Sequence, residues 1–148
     1  MNISIKTFNQ LSTKELYQIL QLRSEVFVVE QNCVYQDVDD KDQKAWHVLG
    51  VKNDELVAYT RIFKAGDYFK NTSIGRVVVK KEERKYGFGK EIMIASLKAI
   101  KEEIGIVEVE LSAQVYLKRF YNDLGFTEIG EGYLEDGIPH IRMLKKPN

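Results

Sequence analysis

The chain holds one cysteine, Cys33, which excludes an internal disulfide framework and a multi-cysteine zinc site. It has no excess of charge of either sign. Its 22 lysines and arginines balance 22 aspartates and glutamates, and a dedicated nucleic-acid binder normally carries a basic surplus. No apolar run is long enough to cross a bilayer, and the opening MNISIKTFNQ lacks the apolar centre of a secretory signal. There is no internal repeat, low-complexity tract or linker. A calcium loop opening at Asp37 would need glycine and glutamate at its sixth and twelfth positions, where this chain has Asp42 and Val48. What remains is 148 residues, 44% apolar, enough for one domain with a real core. Residues 1–148 are expected to form a single cytoplasmic domain that binds neither membrane nor nucleic acid.

The most informative stretch is residues 73–104, SIGRVVVKKEERKYGFGKEIMIASLKAIKEEI. The run from Ile74 to Val79, with three successive valines, suits a strand buried on both faces. Arg84-Lys85-Tyr86-Gly87-Phe88-Gly89 then opens a helix predicted from about Gly87 to Glu103. The first N–H groups of a helix have no intrahelical acceptor and carry partial positive charge, so this end suits an anion, phosphate above all. Gly87 and Gly89 lack a Cβ and let such a group approach the main chain. Arg84, Lys85 and Lys90 add mobile positive charge. The order Arg-x-x-Gly-x-Gly is neither a Walker loop nor the dinucleotide fingerprint, which needs a third glycine.

Around this stretch the pattern predicts a first strand at residues 3–8. Ser12 and Glu15 then form a capping box that starts a helix running to Val29 or Glu30. Residues 30–45, EQNCVYQDVDDKDQKA, read as a solvated acidic loop, with substrate steering as the alternative. Strands are predicted at 46–52 and 56–63, joined by the Asn53-Asp54 turn. The long helix presents two apolar rows, Ile92, Ala95, Ala99 and Leu97, Ile100, Ile104. A parallel strand over 107–111 follows it after Gly105, by a right-handed crossover. A short helix at 116–124 and a strand pair at 126–129 and 138–144, with 131–137 as loop and Pro139 near a strand start, complete the order.

A second motif lies in LSAQVYLKRFYNDLGF, residues 111–126, where Tyr121, Gly125 and Phe126 form Tyr-x-x-x-Gly-Phe. With Arg-x-x-Gly-x-Gly, in this order and separation, the chain resembles the GNAT superfamily of acyl-CoA-dependent N-acetyltransferases. The segments FVVEQN from Phe27, WHVLG from Trp46, IGRV from Ile74 and EDGIPH from Glu135 are similar to its ElaA-like group. One departure is Gln114, seven residues before Tyr121, where the family often has asparagine.

The resemblance implies an α/β fold: a mixed, mostly antiparallel sheet with two splayed central parallel strands and flanking helices. Acetyl-CoA, as co-substrate, would lie in the splay. Its pantetheine would bond to main chain at Val77, Val78 and Val79, and its pyrophosphate would rest on Arg84, Lys85, Tyr86, Gly87, Phe88, Gly89 and Lys90. Gln114 and Tyr121 would complete the cofactor contacts. Transfer to a primary amine of a small molecule or peptide would be direct, in a ternary complex and without metal. A main-chain N–H such as that of Val78 would polarise the thioester. Tyr121 would protonate the departing sulfur. Glu30 and His140 lead the candidates for general base, ahead of His47 and Asp136. Cys33 reads as a small packing residue, because direct transfer needs no acyl-enzyme. Asp37, Asp39, Asp40, Glu131, Glu135 and Asp136 would bias the acceptor site towards cations. Open alternatives are a non-catalytic acyl-CoA-binding sensor or complex subunit, and transfer of a longer acyl group. The chain could act as a monomer or a homodimer.

Overall fold

The computed structural model describes residues 1–147. Seven strands form one sheet: β1 (Asn2–Thr7), β2 (Trp46–Lys52), β3 (Glu55–Phe63), β4 (Thr72–Val79), β5 (Val109–Gln114), β6 (Thr127–Glu135) and β7 (Ile138–Lys145). Their spatial order is β1-β2-β3-β4-β5-β7-β6, and every pairing is antiparallel except β4 with β5. Helix α1 (Thr13–Arg23) covers one face, and α2 (Phe88–Glu103) with α3 (Lys118–Asp123) covers the other.

The capping box forms as read. Glu15 N–H donates to Ser12 Oγ at 3.0 Å, and Ser12 N–H donates to Glu15 Oε1 at 2.8 Å. The α-helix then stops six or seven residues earlier than expected. From Ser24 to Glu30 the chain winds more widely, as a π-helical segment, so that Gln31 N bonds Val26 O and Cys33 N bonds Val28 O, each five residues back.

Helix α2 buries Phe88, Ile92, Met93, Ser96, Ala99 and Ile100, a stripe of helical period centred on Ile92 and Ser96. It packs on Ile62, Ile74, Leu111 and Met143. Each large apolar side chain buried here contributes roughly 1.5–3 kcal/mol. Ser96 is tolerated in the stripe because its hydroxyl meets Thr60 Oγ1 at 2.6 Å and its own Ile92 carbonyl at 2.7 Å. Across the sheet, Ile19, Leu22 and Val26 pack on Leu49, Tyr59 and Val78.

Two differences from the sequence expectation matter for the cleft. Strand β4 begins at Thr72, not Ile74, and the two added residues are the ones that pair with β5, as Thr72 with Val109 and Ser73 with Glu110. Beyond them the strands part. Strand β4 stays with β3, and β5 stays with β7 as far as Gln114 opposite His140. The segment 131–137 is mostly strand rather than loop. Strand β6 runs to Glu135, with an irregular step between Ile129 and Tyr133, and Asp136-Gly137 make a two-residue turn with φ of 51° and 78°. Asn53-Asp54 turns the same way, with φ of 51° and 63°.

Candidate functional site

Where β4 and β5 separate, a cavity of about 760 Å³ opens, with Val77 and Val79 on one side and Gln114, Leu117 and Tyr121 on the other. Strand β4 is bulged there. Tyr59 faces Val78 and Arg61 faces Gly75, so three residues of β4 span two of β3, and Arg76 and Val77 fall outside the register. Arg76 carries the extra residue at φ 50°, a left-handed conformation that costs a non-glycine residue about 1–2 kcal/mol. Asp37 holds it: Arg76 Nε donates to Asp37 Oδ1 at 2.7 Å and Nη2 to the Asp37 carbonyl at 3.0 Å.

The anion-loop region begins as a 3-10 turn (Lys81–Tyr86), and Gly87, at φ 74°, admits the chain to α2. The first helical bond is Glu91 N to Gly87 O, which leaves the N–H groups of Phe88, Gly89 and Lys90 without intrahelical acceptors. At Gly89 a Cβ would meet Phe120 at 3.5 Å and Val79 at 3.8 Å, ordinary contacts. Nothing inside the protein therefore demands glycine there. Arg84, Gly87, Gly89 and Lys90 border the cavity. Phe88 is packed in the core, and the Tyr86 ring sits 4.0 Å beneath Lys52 Nζ and 5.3 Å from Lys85 Nζ. Arg84 grips Glu30 with both terminal nitrogens, at 2.7 and 2.9 Å, and its Nε donates to the Val79 carbonyl at 3.1 Å.

On the facing wall, the Tyr-x-x-x-Gly-Phe motif is a helix cap. Phe126 N–H donates to the Tyr121 carbonyl at 3.1 Å and Gly125 N–H to Asn122 O at 3.0 Å, with Gly125 at φ 97°. These are the paired bonds of a Schellman motif, and the Phe126 ring against Tyr121 is its usual apolar contact. The cap and the edge-on Phe120 ring, 5.0 Å away, fix Tyr121 in place. Tyr121 is 5% exposed and borders the cavity, and among the described residues its hydroxyl has no hydrogen-bond partner. Burial, reinforced by Tyr116, raises its pKa.

His140 and Gln114 face each other across β5 and β7, and both line the cavity. His140 Nδ1 lies 2.7 Å from the Ile138 carbonyl, which can only accept, so that nitrogen carries a proton; Nε2 lies 3.3 Å from Glu135 Oε2. The segment 30–33 crosses the cleft mouth. Glu30 meets Arg84, Gln31 accepts from Gln114 at 3.3 Å, and Cys33 Sγ donates to the Asp136 carbonyl at 3.3 Å. The structure thus gathers Glu30, Arg84, Gln114, Tyr121, His140 and residues 77–79 around one cavity. Among the described residues, no cluster of three or more His, Cys, Asp or Glu is placed to hold a metal.

The acidic loop is not a solvated one. Asp37, Asp39 and Asp42 turn inwards onto Arg23, Arg61 and Arg76. Arg23 is 0% exposed and bonds Asp37 Oδ2 at 2.8 Å and Asp42 Oδ1 at 2.7 Å. Arg61, 1% exposed, bonds Asp39 Oδ2 at 2.5 Å and Asp42 Oδ1 at 2.8 Å. Three cations and three anions cancel, which is what burial of charge requires. Burial pushes the Asp39 carboxyl upwards, but the Arg61 hydrogen bonds outweigh it and hold its pKa at about 2. These aspartates are engaged by arginines and do not present free negative charge to an acceptor. Asp40 is exposed and accepts from Gln43, and Glu131 is exposed on β6.

His47 belongs to the same network. Its Nε2 bonds the Asp42 carbonyl at 2.9 Å, its Nδ1 accepts from the Tyr59 hydroxyl at 2.6 Å, and burial lowers its pKa. Both of its ring nitrogens are engaged inside this network, and it is not among the residues that line the cavity. Arg23, Arg61 and Arg76 escaped the sequence reading because they sit within patterns read as helix or strand, with nothing local to mark their partners.

The acetyltransferase (GNAT) domain family matches residues 6–147. Protein ElaA of Escherichia coli is 46% identical over 140 residues, covering 93% of this chain and 92% of its own. Its crystal structure superposes with a TM-score of 0.92 at 42% identity, over 99% of this chain and 100% of the other. An acyl-CoA N-acyltransferase from Pseudomonas aeruginosa gives a TM-score of 0.92 at 39% identity, over 98% and 99% of the two chains. With the split parallel pair, the bulged strand and the helix-capping tyrosine motif already in view, these matches show that the chain belongs to the GNAT acetyltransferase family, in its ElaA-like group.

Proposed function

We propose that the cleft binds acetyl-CoA and that the chain transfers the acetyl group directly to a primary amine in a ternary complex. The loss of β4–β5 pairing beyond Ser73 and Glu110 is the observation that carries this reading. It leaves the β4 edge at Val77, Val78 and Val79 open beside the unpaired amides that start α2. A pantetheine arm can complete that edge as a strand would, with the pyrophosphate on Gly87, Gly89 and their neighbours. The likeness to the Pseudomonas acyl-CoA N-acyltransferase supports the same assignment.

The chemistry follows from the groups around the cavity. An alkylamine of pKa about 10.4 must lose a proton before it attacks. His140 takes that proton at Nε2, and the Glu135 carboxylate at 3.3 Å stabilises the imidazolium formed. We assign this role to His140 over Glu30 because both Glu30 oxygens are held by Arg84. The amine nitrogen bonds the thioester carbon, the developing oxyanion is met by main-chain N–H of β4, and the carbon–sulfur bond breaks. Tyr121 gives its proton to the departing thiolate, and the proton the nitrogen loses as the amide forms returns to the phenolate. Its raised pKa keeps the phenol protonated throughout the neutral range, and its hydroxyl is free to donate.

The test is acetyl-CoA-dependent thiol release across a panel of amines, with Tyr121→Phe alongside. The variant is expected to keep coenzyme A affinity and to lose about 10²–10⁴-fold in kcat. Binding without turnover of any amine would make the chain an acyl-CoA-binding module instead.

A further inference from the structure

The cavity continues along the α1 side of the sheet, past the end of α1, where Lys41, Phe63, Tyr68, Phe69 and Ser73 line it. The three rings form a shelf: Phe63 and Tyr68 stack at 5.1 Å, and Phe69 meets Tyr68 edge-on at 4.8 Å. Their faces already carry the chain's own cations. Arg61 lies 5.0 Å from the Phe63 ring, Arg142 lies 3.8 Å from Phe69, and Lys41 Nζ lies 5.8 Å from Tyr68. The shelf is therefore not a vacant aromatic cage for an ammonium group.

The charges on this wall do not all cancel. Arg61 is neutralised by Asp39 and Asp42, and Arg142 Nη1 is paired with Glu110 Oε2 at 2.7 Å. Lys41 has no carboxylate within 4.0 Å among the described residues. Beside the shelf, Ser73 stands opposite Phe63 on the β3–β4 ladder. It is 1% exposed, and its Oγ has no hydrogen-bond partner among the described residues. A buried hydroxyl left unpaired at a cavity wall is a polar group awaiting a ligand atom. The opposite end of the same cavity is acidic, with Glu135 and Asp136 beside His140.

From this polarity we infer that the acceptor is an amine carrying an anionic group at its far end. The amine faces His140 and Glu135, and the anion faces Lys41 and Ser73. The register sets the spacing. Ser73 pairs with Glu110, and His140 pairs with Gln114, four residues further along β5 and one strand beyond. Strand geometry makes their Cα atoms about 16 Å apart, before both side chains reach inwards. An α-amino acid, whose amine and carboxylate share one carbon, is too short. An ω-amino acid, with several bonds between the two groups, fits.

This inference rests on the acetyl-transfer reading and is tested separately from it. Thiol release from acetyl-CoA is measured with 6-aminohexanoate, 6-aminohexanamide and spermidine, on the native chain and on Lys41→Glu. Lys41 is exposed, so the change should not disturb folding. Native kcat/KM is expected to favour the carboxylate over its amide by about tenfold, the worth of a charge-assisted contact. Lys41→Glu should invert that preference. Ser73→Ala should lower kcat/KM for the carboxylate without affecting the melting temperature in the presence of coenzyme A. Equal use of acid and amide, a preference that survives Lys41→Glu, or turnover of spermidine alone would overturn the acceptor assignment. So would coenzyme A raising the melting temperature while no amine is turned over. Failure of coenzyme A to stabilise the chain at all would remove the acetyl-transfer reading, and this one with it.

Discussion

Two charged loops border the same cleft and behave in opposite ways. Residues 31–45 carry four aspartates, three of them engaged with Arg23, Arg61 and Arg76, and this pins the loop to the sheet. Residues 80–87 keep most of their charge outside, and at their end main-chain donors face the cavity unpaired. The first loop uses charge to build a wall; the second leaves polarity available to a ligand. Charge in a sequence therefore says little about charge in a site until its partners are known. The fully buried arginines consumed the acidity that looked free.

The sharpest way to break this contrast is Asp37→Ala. It strips partners from Arg23 and Arg76 together and releases the left-handed bulge on β4. Leaving a buried guanidinium without its carboxylate should destabilise the fold by about 3–5 kcal/mol in urea unfolding. A loss below about 1 kcal/mol would mean that the network does not hold the wall. The same network sets the acid limit. His47 has a lowered folded pKa, so the unfolded chain binds the extra proton. Stability is then full above about 6.5 and falls as pH drops below it. Asp39, held at about 2, gives stability that is present above the unfolded value near 3.9 and is lost between there and about 2. Two successive declines in unfolding free energy are expected on acidification. A curve flat from pH 7 to pH 4 would contradict the assignment for His47.

On the other loop, two glycines serve different purposes, and substitution should separate them. Gly87 is at φ 74°, so Gly87→Ala should cost about 1 kcal/mol of stability. Gly89 is inside α2, and its Cβ would make only ordinary contacts, so Gly89→Ala should stabilise by about 0.5–1 kcal/mol. If Gly89 is glycine for the sake of a pyrophosphate, Gly89→Val should weaken coenzyme A binding by about tenfold or more with no loss of melting temperature. Unimpaired binding to Gly89→Val would move the anion site elsewhere.

The glycine turn that opens α2 and the tyrosine cap were legible because each is local. Arg-x-x-Gly-x-Gly places glycines at the helix start, and Tyr121, Gly125 and Phe126 close one Schellman cap within six residues. The capping box at Ser12 and the Asn53-Asp54 turn were legible for the same reason. The Asp-Gly turn at 136–137 carried an equally local signal that was read as the end of a longer loop. What was not legible depends on distant partners. Thr72 and Ser73 precede the apolar run that marks the strand, yet they alone hold β4 to β5, through Val109 and Glu110. Asp37 and Arg76 are 39 positions apart, and no periodicity links them. The π-helical widening after Arg23 has no sequence mark either, although it sets the line of Glu30 and Gln31 across the cleft mouth.

Glu30 joins the two loops, and its replacement gives the smallest expected effect. Its carboxylate neutralises Arg84, with side-chain exposures of 26% and 42%. A pair so exposed contributes about 0–1 kcal/mol, so Glu30→Gln should scarcely move the melting temperature. It should free Arg84 for the pyrophosphate and tighten coenzyme A binding a few-fold, most clearly at low ionic strength, where screening is weakest. Turnover should stay within a few-fold of native, because His140 is assigned the proton transfer. A fall in kcat of about 10²-fold or more, with coenzyme A affinity intact, would instead make Glu30 the base. The π-helical segment that leads into the wall would then be supplying chemistry as well.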